Sequence, residues 1–332
     1  MKSVSYQKTM GANVYSVVMR VLVTGGAGFI GSKVVEDLCR DDHHVTVIDN
    51  FDPTLYSSDL KKSRIKKLAE RFDFDFHELD INADLSFLLK CEIDYVVNLA
   101  ALPGQLLSWS HLPQYTNSNF LGVDNILKSL IVVEKIPLLQ ISTSSVYGKF
   151  ASGNENSTLE PFSPYGVTKR AAEDLIKIYK DNFDISFTIF RLFSVFGPGQ
   201  RPDMAVHKFL KLIDNGDEVQ IFGDGSQTRS MTDVAQVSNS ILNRINLIKP
   251  MNKSSIYNIA GKSSISVLDL ISVCEKVVGR SAKVKFVSRP AGDQLQTYGD
   301  STRAEKELAF NPELDVFDVV AKQFESIKIF GL

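Results

Sequence analysis

An apolar strand that runs directly into a glycine-rich turn is the feature that most constrains this chain. Residues 20–24 read Arg-Val-Leu-Val-Thr, and residues 25–31 read Gly-Gly-Ala-Gly-Phe-Ile-Gly. Residues 26–31 match the spacing G-x-G-x-x-G at the point where the strand ends and a helical pattern begins. This arrangement is typical of the first βαβ unit of a parallel sheet, because the glycines permit a tight turn and close helix packing. It predicts an α/β fold.

Strand and helix patterns alternate from this turn onward. The predicted strands are residues 20–24, 44–48, 74–79, 94–99, 138–143 and 186–191, and the predicted helices are residues 29–40, 59–72, 112–134 and 164–183. The strands are short, continuous Val/Ile-rich runs, as in parallel sheets covered on both faces. Repeated alternation of this kind predicts a doubly wound parallel sheet, the Rossmann architecture.

The alternation changes at the turn-rich residues 196–202. Shorter strands (219–222, 256–260, 283–287) are then predicted among helices near 204–215, 233–246, 266–279 and 315–328. We therefore predict a smaller C-terminal α/β lobe that covers a substrate at the carboxyl edge of the sheet. The predicted division is an N-terminal extension (1–18), a Rossmann domain (19–192, with some later segments) and a mainly substrate-binding lobe (193–332).

Composition and charge exclude several classes of protein. With 332 residues, 44% of them hydrophobic, the chain is globular rather than disordered. A net charge of −2 argues against nucleic acid as the main partner. No apolar run reaches the roughly 18–20 residues of a membrane span, and the first 18 residues make a poor secretion signal. Three scattered cysteines and five histidines without ligand spacing predict a reducing, cytoplasmic location and no bound metal.

The glycine turn predicts a dinucleotide cofactor once the next strand is included. Gly26 permits the tight turn, Gly28 lets a diphosphate approach the backbone, and Gly31 allows the helix to pack on the sheet. Asp49 ends the next strand, 18 positions after Gly31. Its carboxylate can accept hydrogen bonds from an adenosine ribose and would repel a 2′-phosphate, so NAD is predicted rather than NADP. Gly25 adds a second spacing (25, 28, 31), which points away from the ordinary two-domain dehydrogenases.

A second motif is Tyr165-Gly-Val-Thr-Lys169, preceded by Pro164, which favours a helix start. Residues i and i+4 share a helix face, with Cβ atoms about 5–6 Å apart. An ammonium there would lower the pKa of the phenol, which could then take a proton from a sugar hydroxyl while hydride leaves the same carbon. Such pairs also occur by chance on surface helices, so this motif gains weight only together with the glycine turn.

In its ordered motifs the chain resembles extended short-chain dehydrogenases/reductases of the NAD-dependent epimerase/dehydratase family. The matching blocks are residues 24–31, 98–101, 142–148, 163–169, 191–198, 223–229 and 257–260. The resemblance implies a Rossmann fold, tightly held NAD, a nucleoside-diphosphate sugar as substrate and transient oxidation at sugar C4. It also implies a homodimer, through helices near 112–134 and 164–183. The apolar residues of these helices fit a protein core equally well: Ile126, Leu127, Leu130, Leu175, Ile176 and Tyr179.

The resemblance assigns roles to individual positions. Thr143 would supply the catalytic hydroxyl, Tyr165 the base, and Lys169 its partner on the nicotinamide ribose. The implied cofactor contacts are Gly25, Gly28, Phe29, Ile30, Gly31, Asp49, Asn50, Asp80, Ile81, Leu99, Ala100, Ala101, Asn119, Tyr165 and Lys169. The implied substrate contacts are Ser144, Ser145, Ser194, Arg201, Arg229, Arg289 and Asp293.

The residues after Thr143 indicate which reaction of the family to expect. Related 4,6-dehydratases carry Asp-Glu there and related decarboxylases carry a Glu at the second position, whereas this chain has Ser144 and Ser145. Serine cannot perform the proton transfer of a carboxylate, so 4-epimerisation is favoured. The alternatives are another oxidoreductase or dehydratase-family activity on a UDP- or dTDP-sugar, and a non-catalytic NAD-binding protein.

The identity of the sugar is less constrained. Residues 201–205, Arg-Pro-Asp-Met-Ala, resemble UDP-glucuronate 4-epimerases, and Arg201 is a candidate contact for a diphosphate or carboxylate. In contrast, residues 102–108 replace a loop that usually carries an arginine in uronate epimerases, which favours a neutral sugar such as UDP-glucose or its N-acetylated relative. Asn98 in place of the usual His, Ser230 after Arg229, and the longer spacing of residues 289–293 are further departures from the family pattern.

Overall fold

A seven-stranded parallel sheet lies at the centre of the described chain, which in this computed structural model comprises residues 6–7, 16–132, 136–247 and 254–330. The strand order across the sheet is Ser255–Ile259, Phe187–Leu192, Leu138–Thr143, Tyr95–Asn98, Arg20–Thr24, His44–Asp49, Asp75–Glu78. Every neighbouring pair is parallel, so the predicted doubly wound fold is confirmed. The order reverses beside Arg20–Thr24, and ligands bind at such switch points in open α/β sheets.

Helices cover both faces of this sheet because its strands alternate apolar side chains between two cores. Val21 and Val23 face one core and Leu22 faces the other. The first core lies under the helices Phe29–Arg40, Ser58–Ala69, Val234–Asn246 and Thr302–Leu308. The second core lies under Gly122–Val132 and Pro164–Phe183, and the short helix Ser86–Leu89 lies beside Gly122–Val132.

The smaller lobe contains two further sheets. One has the order Ser194–Phe196, Thr228–Asp233, Gln296–Gly299, Phe150–Gly153, with Ser264–Ser266 antiparallel to Thr228–Asp233. The other pairs Glu218–Phe222 with Lys283–Val287 in parallel. A third core forms beneath the helices Ala205–Asn215, Val267–Val278 and Val316–Phe330. The lobe thus has its own core and meets the large sheet at the carboxyl edge.

Two elements differ from their predicted positions. The strand predicted at 256–260 is Ser255–Ile259 and completes the large sheet rather than the lobe, because it pairs with Phe187–Leu192. The helix predicted over 112–134 is divided into Leu112–Thr116, a π-helical turn Asn117–Leu121 and Gly122–Val132. Residues 133–135 lie outside the described chain.

Most of the predicted extension, residues 1–18, also lies outside the described chain. Within it, Tyr6–Gln7 and Ser16–Val17 form a short antiparallel pair. Among the described residues, none of the helices combines the length and apolarity that crossing a membrane requires. The same described ranges contain no cluster of side chains suited to holding a metal ion.

Candidate active site

A cleft of about 1250 Å³ opens along the carboxyl edge of the large sheet. One wall consists of residues at or directly after the carboxyl ends of strands of the sheet, including Asp49, Leu99 and Thr143. The opposite wall belongs to the smaller lobe and includes Arg201 and Arg229. Residues far apart in sequence therefore meet at the switch point of the sheet, where ligand binding is expected.

Most of the predicted contact residues line this cleft. They are Gly25, Gly28, Phe29, Ile30, Gly31, Asp49, Asn50, Asp80, Ile81, Leu99, Ala100, Ala101, Thr143, Tyr165, Lys169, Ser194, Arg201, Arg229 and Asp293. Four other predicted contacts, Asn119, Ser144, Ser145 and Arg289, are not among its lining residues.

Asn119 supports the cleft from behind. It is fully buried in the π-helical turn, where its Oδ1 accepts from the backbone N–H of Leu102 (2.8 Å) and its Nδ2 donates to the Leu102 carbonyl (2.9 Å). Its amide is therefore occupied by Leu102, which does line the cleft. Asn119 thereby positions Leu102, and its contact with a cofactor stays a prediction.

Ser144 and Ser145 are buried in a 3₁₀ turn directly after Thr143. The Ser145 N–H donates to Thr143 Oγ1 (3.1 Å), and Ser145 Oγ accepts from Nε2 of Gln105 (3.0 Å). Both serines thus belong to the turn that fixes Thr143, and their contact with a substrate stays a prediction.

The glycine turn presents bare backbone to the cleft. A Cβ on Gly31 would overlap the carbonyl oxygen of Gly25, so only glycine permits this approach of helix and turn. At Gly28 a Cβ would meet only that same oxygen at 3.1 Å, so this position is open towards the cleft. No side chain caps the helix Phe29–Arg40, which begins here. Uncapped N–H groups at a helix start suit a diphosphate, and the turn therefore fits NAD.

Asp49 organises this turn as well as bordering the cleft. Its Oδ2 accepts from the Ala27 N–H (3.1 Å) and its Oδ1 from the Phe51 N–H (2.8 Å). Burial raises the pKa of Asp49, although Lys61 and the two backbone donors act in the opposite direction. Asp80 lies nearby and accepts from Nδ2 of Asn50 (2.7 Å). The acids predicted to contact the adenosine side are thus held in place by neighbouring backbone and amide groups.

Thr143, Tyr165 and Lys169 converge at the centre of the cleft. Thr143 ends its strand, while Tyr165 and Lys169 lie one turn apart on the helix Pro164–Phe183. This helix starts beside Tyr165 because Ser163 caps it, its Oγ accepting from the Gly166 N–H (3.2 Å). The Thr143 hydroxyl, which donates to Ser145 Oγ (3.2 Å), lies near enough to Tyr165 to act on the pKa of its phenol.

Burial controls the protonation of Tyr165 and Lys169. It raises the pKa of Tyr165, although the Thr143 hydrogen bond and the charge of Arg201 act to lower it. It lowers the pKa of Lys169 to about 8, with Glu173 acting in the opposite direction. The Lys169 ammonium donates to the Ile141 carbonyl (2.7 Å). The expectation that Lys169 lowers the pKa of Tyr165 is therefore not met in this structure, because Lys169 is bound to backbone and burial dominates.

The three arginines predicted to contact the substrate lie beside acids. Arg201 makes a bidentate pair with Asp203 (2.9 and 2.8 Å) and influences Tyr165 electrostatically, so it is not an exposed loop residue. Arg229 donates to Asp293 (2.9 Å) at another part of the cleft wall. Arg289 lies 3.8 Å from Asp293, behind the lining residues. In these pairs the carboxylate orients the guanidinium N–H groups and balances their positive charge.

Sequence reasoning did not identify the buried pair Glu173–Arg191 behind this centre. Arg191 is bidentate to Glu173 (3.0 and 2.7 Å), and Glu173 also accepts from the Ser142 hydroxyl (2.5 Å). The signal was present, since Tyr165, Lys169 and Glu173 follow one another at i+4 spacing on one helix face. Nor did it identify Tyr56, Lys61 and Arg64, which lie beside the glycine turn.

The doubly wound sheet, the glycine turn and the Thr-Tyr-Lys centre together define a protein of the short-chain dehydrogenase/reductase class. Residues 21–260 match the sequence model of the NAD dependent epimerase/dehydratase family. The match covers well over half of the chain, and the chain belongs to this family.

Individual relatives cover nearly the whole chain. An uncharacterized UDP-glucose epimerase of Bacillus subtilis is 38% identical over 304 residues, which cover 90% of this chain and 95% of the relative. A UDP-glucuronate 4-epimerase of Thermodesulfobacterium geofontis is 32% identical over 300 residues (89% and 92%). The crystal structure of the Bacillus cereus UDP-glucuronic acid 4-epimerase in complex with UDP-glucuronic acid and NAD superimposes with a TM-score of 0.90 at 37% identity (94% and 100%).

Proposed function

We propose that this chain is an NAD-dependent UDP-sugar 4-epimerase. The observation that carries the proposal is the meeting of Thr143, Tyr165 and Lys169 in the cleft that also contains the bare glycine turn. Serines follow Thr143, so the carboxylate pair of a dehydratase is missing from the position where that chemistry would need it. Relatives named as UDP-glucose and UDP-glucuronate epimerases support the same reaction class.

Two residues of the cleft act on the C4 hydroxyl of the sugar in different ways. Tyr165 takes the proton of the sugar C4 hydroxyl, and Thr143 holds the same oxygen through its own hydroxyl. When bound, NAD accepts hydride from C4 and returns it to the other face of the resulting 4-keto sugar. Tyr165 then gives its proton back to the oxygen. The Thr143 hydrogen bond and the nearby charge of Arg201 favour the phenolate that the first step requires.

UDP-glucuronate is the first candidate substrate. Arg201 lines the same cleft as Tyr165, and a guanidinium there suits an anionic substituent on the sugar. A relative and a solved structure, at 32% and 37% identity, carry that substrate in their names. UDP-glucose is the second candidate, because the loop of residues 102–108 carries no arginine, whereas the resemblance to uronate epimerases implies one in this loop.

We further propose that the protein is a cytoplasmic homodimer. Ile126, Leu127, Leu130 and Ile176 are buried within the chain, so they do not form the interface. The helices that carry them also expose apolar side chains, among them Ile131, Val132, Val167, Ile178 and Phe183. Pairing of these two helices with those of a second copy would cover this surface. Light scattering should give a mass near twice 36.9 kDa, and a mass of one chain at micromolar concentration would contradict the dimer.

A product assay tests the reaction. Purified protein is incubated with a panel of UDP- and dTDP-sugars, without added NAD, and the products are followed by NMR. We expect one sugar to be converted to its C4 epimer, and Tyr165→Phe to reduce the rate by about 10²–10⁴-fold because proton transfer is lost. Tyr298→Phe is the matched control, since Tyr298 is exposed and is not one of the cleft-lining residues.

The other outcomes select other functions. Stoichiometric release of NADH would indicate a net oxidoreductase on the same substrates. Binding of NAD without turnover of any sugar would indicate a non-catalytic protein.

A further inference from the structure

A chain of hydrogen bonds runs from the smaller lobe to Thr143. Nε2 of Gln294 donates to the Gly148 carbonyl (2.7 Å), and Oε1 of Gln294 accepts from Nε2 of Gln105 (2.8 Å). Nε2 of Gln105 also donates to Ser145 Oγ (3.0 Å), which lies 3.2 Å from Thr143 Oγ1. We refer to Gln105 and Gln294 as the glutamine pair.

The glutamine pair has a fixed orientation, because the chain ends on a backbone carbonyl. A carbonyl accepts and never donates, so Gln294 turns its amide nitrogen to Gly148 and its amide oxygen to Gln105. Gln105 must then present its own nitrogen, whose two protons go to Gln294 and to Ser145. Gly148 is itself confined, since it has a φ of +105° and a Cβ there would overlap the Glu160 carbonyl. The backbone therefore sets the direction of the whole chain.

The glutamine pair joins two parts of the molecule. Gln105 lies in the loop of residues 102–108, where the hydroxyl of the fully buried Ser108 donates to its backbone carbonyl (2.5 Å). Gln294 belongs to the smaller lobe and is only 5% exposed. Thr143 lines the cleft, whereas neither member of the pair is among the lining residues. The pair can therefore act on a reaction in the cleft only through its neighbours, and its hydrogen bonds lead to Thr143.

Hydrogen-bonding capacity connects the direction of this chain to the Thr143 proton. A hydroxyl donates one hydrogen bond and accepts two. In this structure the Thr143 hydroxyl donates to Ser145 Oγ, and Thr143 Oγ1 accepts from the Ser145 N–H (3.1 Å). When Thr143 turns its proton to a sugar oxygen, the Ser145 hydroxyl can donate to Thr143 Oγ1 instead. Gln105 favours this second arrangement, because its N–H group holds Ser145 Oγ as a donor and cannot accept the serine proton.

We propose that Gln105, oriented by Gln294, is a positioning residue for the reaction. It directs the Ser145 hydroxyl to Thr143 Oγ1, which leaves the Thr143 proton free to hold the C4 oxygen of the sugar. This matters most when that oxygen loses its proton to Tyr165, because an oriented donor stabilises the negative charge that develops there. The inference rests on the proposed 4-epimerisation and adds no chemical step to it.

Substitution by methionine tests the proposal, because methionine keeps the length of glutamine and removes its amide. We expect Gln105→Met and Gln294→Met each to lower kcat about 10-fold, the effect of one hydrogen bond made in the transition state, with KM changed less than twofold. The double variant should be no slower than either single variant, since both break the same chain. Gln296→Met is the matched control, because Gln296 is exposed and is not one of the cleft-lining residues.

Variants of Thr143 separate positioning from a purely structural role. In Thr143→Val, which keeps the shape but has no hydroxyl to direct, Gln105→Met should cause no further loss of kcat. In Thr143→Ser, which keeps a hydroxyl, the 10-fold effect should return. An equal loss from Gln105→Met in the wild-type and Thr143→Val backgrounds would overturn the proposal, as would wild-type kcat in both methionine variants. If Gln105→Met does not fold by circular dichroism, Gln294→Met replaces it in each background.

A measurement without turnover tests the hydrogen-bond chain itself. NMR follows the exchange with water of the side-chain amide protons of Gln105, which are assigned by their absence from Gln105→Met. They should exchange more slowly than those of the exposed Gln296, and Gln294→Met should remove the difference. Equal exchange at Gln105 and Gln296 would refute this inference alone, even in an active epimerase. A wild-type protein that turns over no sugar would refute the epimerase and the positioning role together.

Discussion

The buried pair between Glu173 and Arg191 offers the sharpest test of how the active centre is held together. Both side chains are nearly inaccessible, at 0% and 2% exposure. Arg191 donates three hydrogen bonds to Glu173, which also accepts from the Ser142 hydroxyl. Arg191 also donates to the Tyr147 hydroxyl (2.8 Å). Glu173→Ala removes the carboxylate and leaves a guanidinium buried without its counter-charge.

The expected loss is large because the remaining charge cannot reach water. Removing one partner of a buried pair costs about 3–5 kcal/mol, against a total unfolding free energy of about 5–15 kcal/mol for a typical protein. Asp174 is the matched control, one position further along the same helix. It is 49% exposed and pairs with Lys177 at 2.9 Å, so Asp174→Ala should cost no more than about 1 kcal/mol.

Urea unfolding measures both changes, with the midpoint and slope fitted for each variant. Replacing both charges, as in Glu173→Leu with Arg191→Met, should recover much of the loss because no unpaired charge remains. A midpoint for Glu173→Ala equal to that of Asp174→Ala would refute the reasoning. So would a double variant that is less stable than Glu173→Ala.

Two other predictions concern the cleft itself. The folded-state pKa of Lys169, about 8, lies below its ordinary value of 10.5, so folding releases a proton between these pH values and buries a charged ammonium below pH 8. The destabilisation caused by this buried charge is therefore full below pH 8 and fades towards pH 10.5. Lys169→Met should abolish turnover. It should also raise the unfolding free energy by about 3 kcal/mol at pH 7 and by little near pH 10.5. Denaturant titrations at both pH values check this, and a gain that grows with pH would contradict it. Gly31→Ala should lower the unfolding free energy by about 1–3 kcal/mol because the new Cβ overlaps the Gly25 carbonyl, whereas Gly28→Ala should lower it less. Thermal unfolding compares the two variants, and equal midpoints would contradict the packing argument.

The elements that the sequence predicts best are those with local signals at both ends. Arg20–Thr24 is a buried apolar run that ends in glycine, and Pro164–Phe183 starts with a serine cap and a proline, and both have the predicted bounds. The interruption at Asn117–Leu121 has no such signal. It depends on tertiary contacts, since Asn119 holds the backbone of Leu102 and Gly122 allows Ile81 to pack against the helix.

In the active centre, too, residues with a local sequence signal were predictable and residues placed by tertiary contacts were not. Tyr165 and Lys169 were predictable because their spacing on one helix face carries the chemistry. Lys61 and Arg64 lie on a helix rich in lysine, where charged residues ordinarily point to solvent. Only the fold places that helix beside the glycine turn, and only burial reverses the expected direction of the pKa of Tyr165.

The way each cation is compensated separates cofactor from substrate. Arg201 and Arg229 each have a carboxylate at about 2.8–2.9 Å, so an incoming anion must compete with Asp203 or Asp293 for their N–H groups. Such competition lowers the net gain from binding and permits release, as a substrate and its product require. At the glycine turn, by contrast, no side chain caps the N–H groups that begin the helix Phe29–Arg40, so a diphosphate there meets no competing acid at these groups. We therefore expect slow exchange on the side of the glycine turn and fast exchange on the side of the smaller lobe, within one continuous cleft.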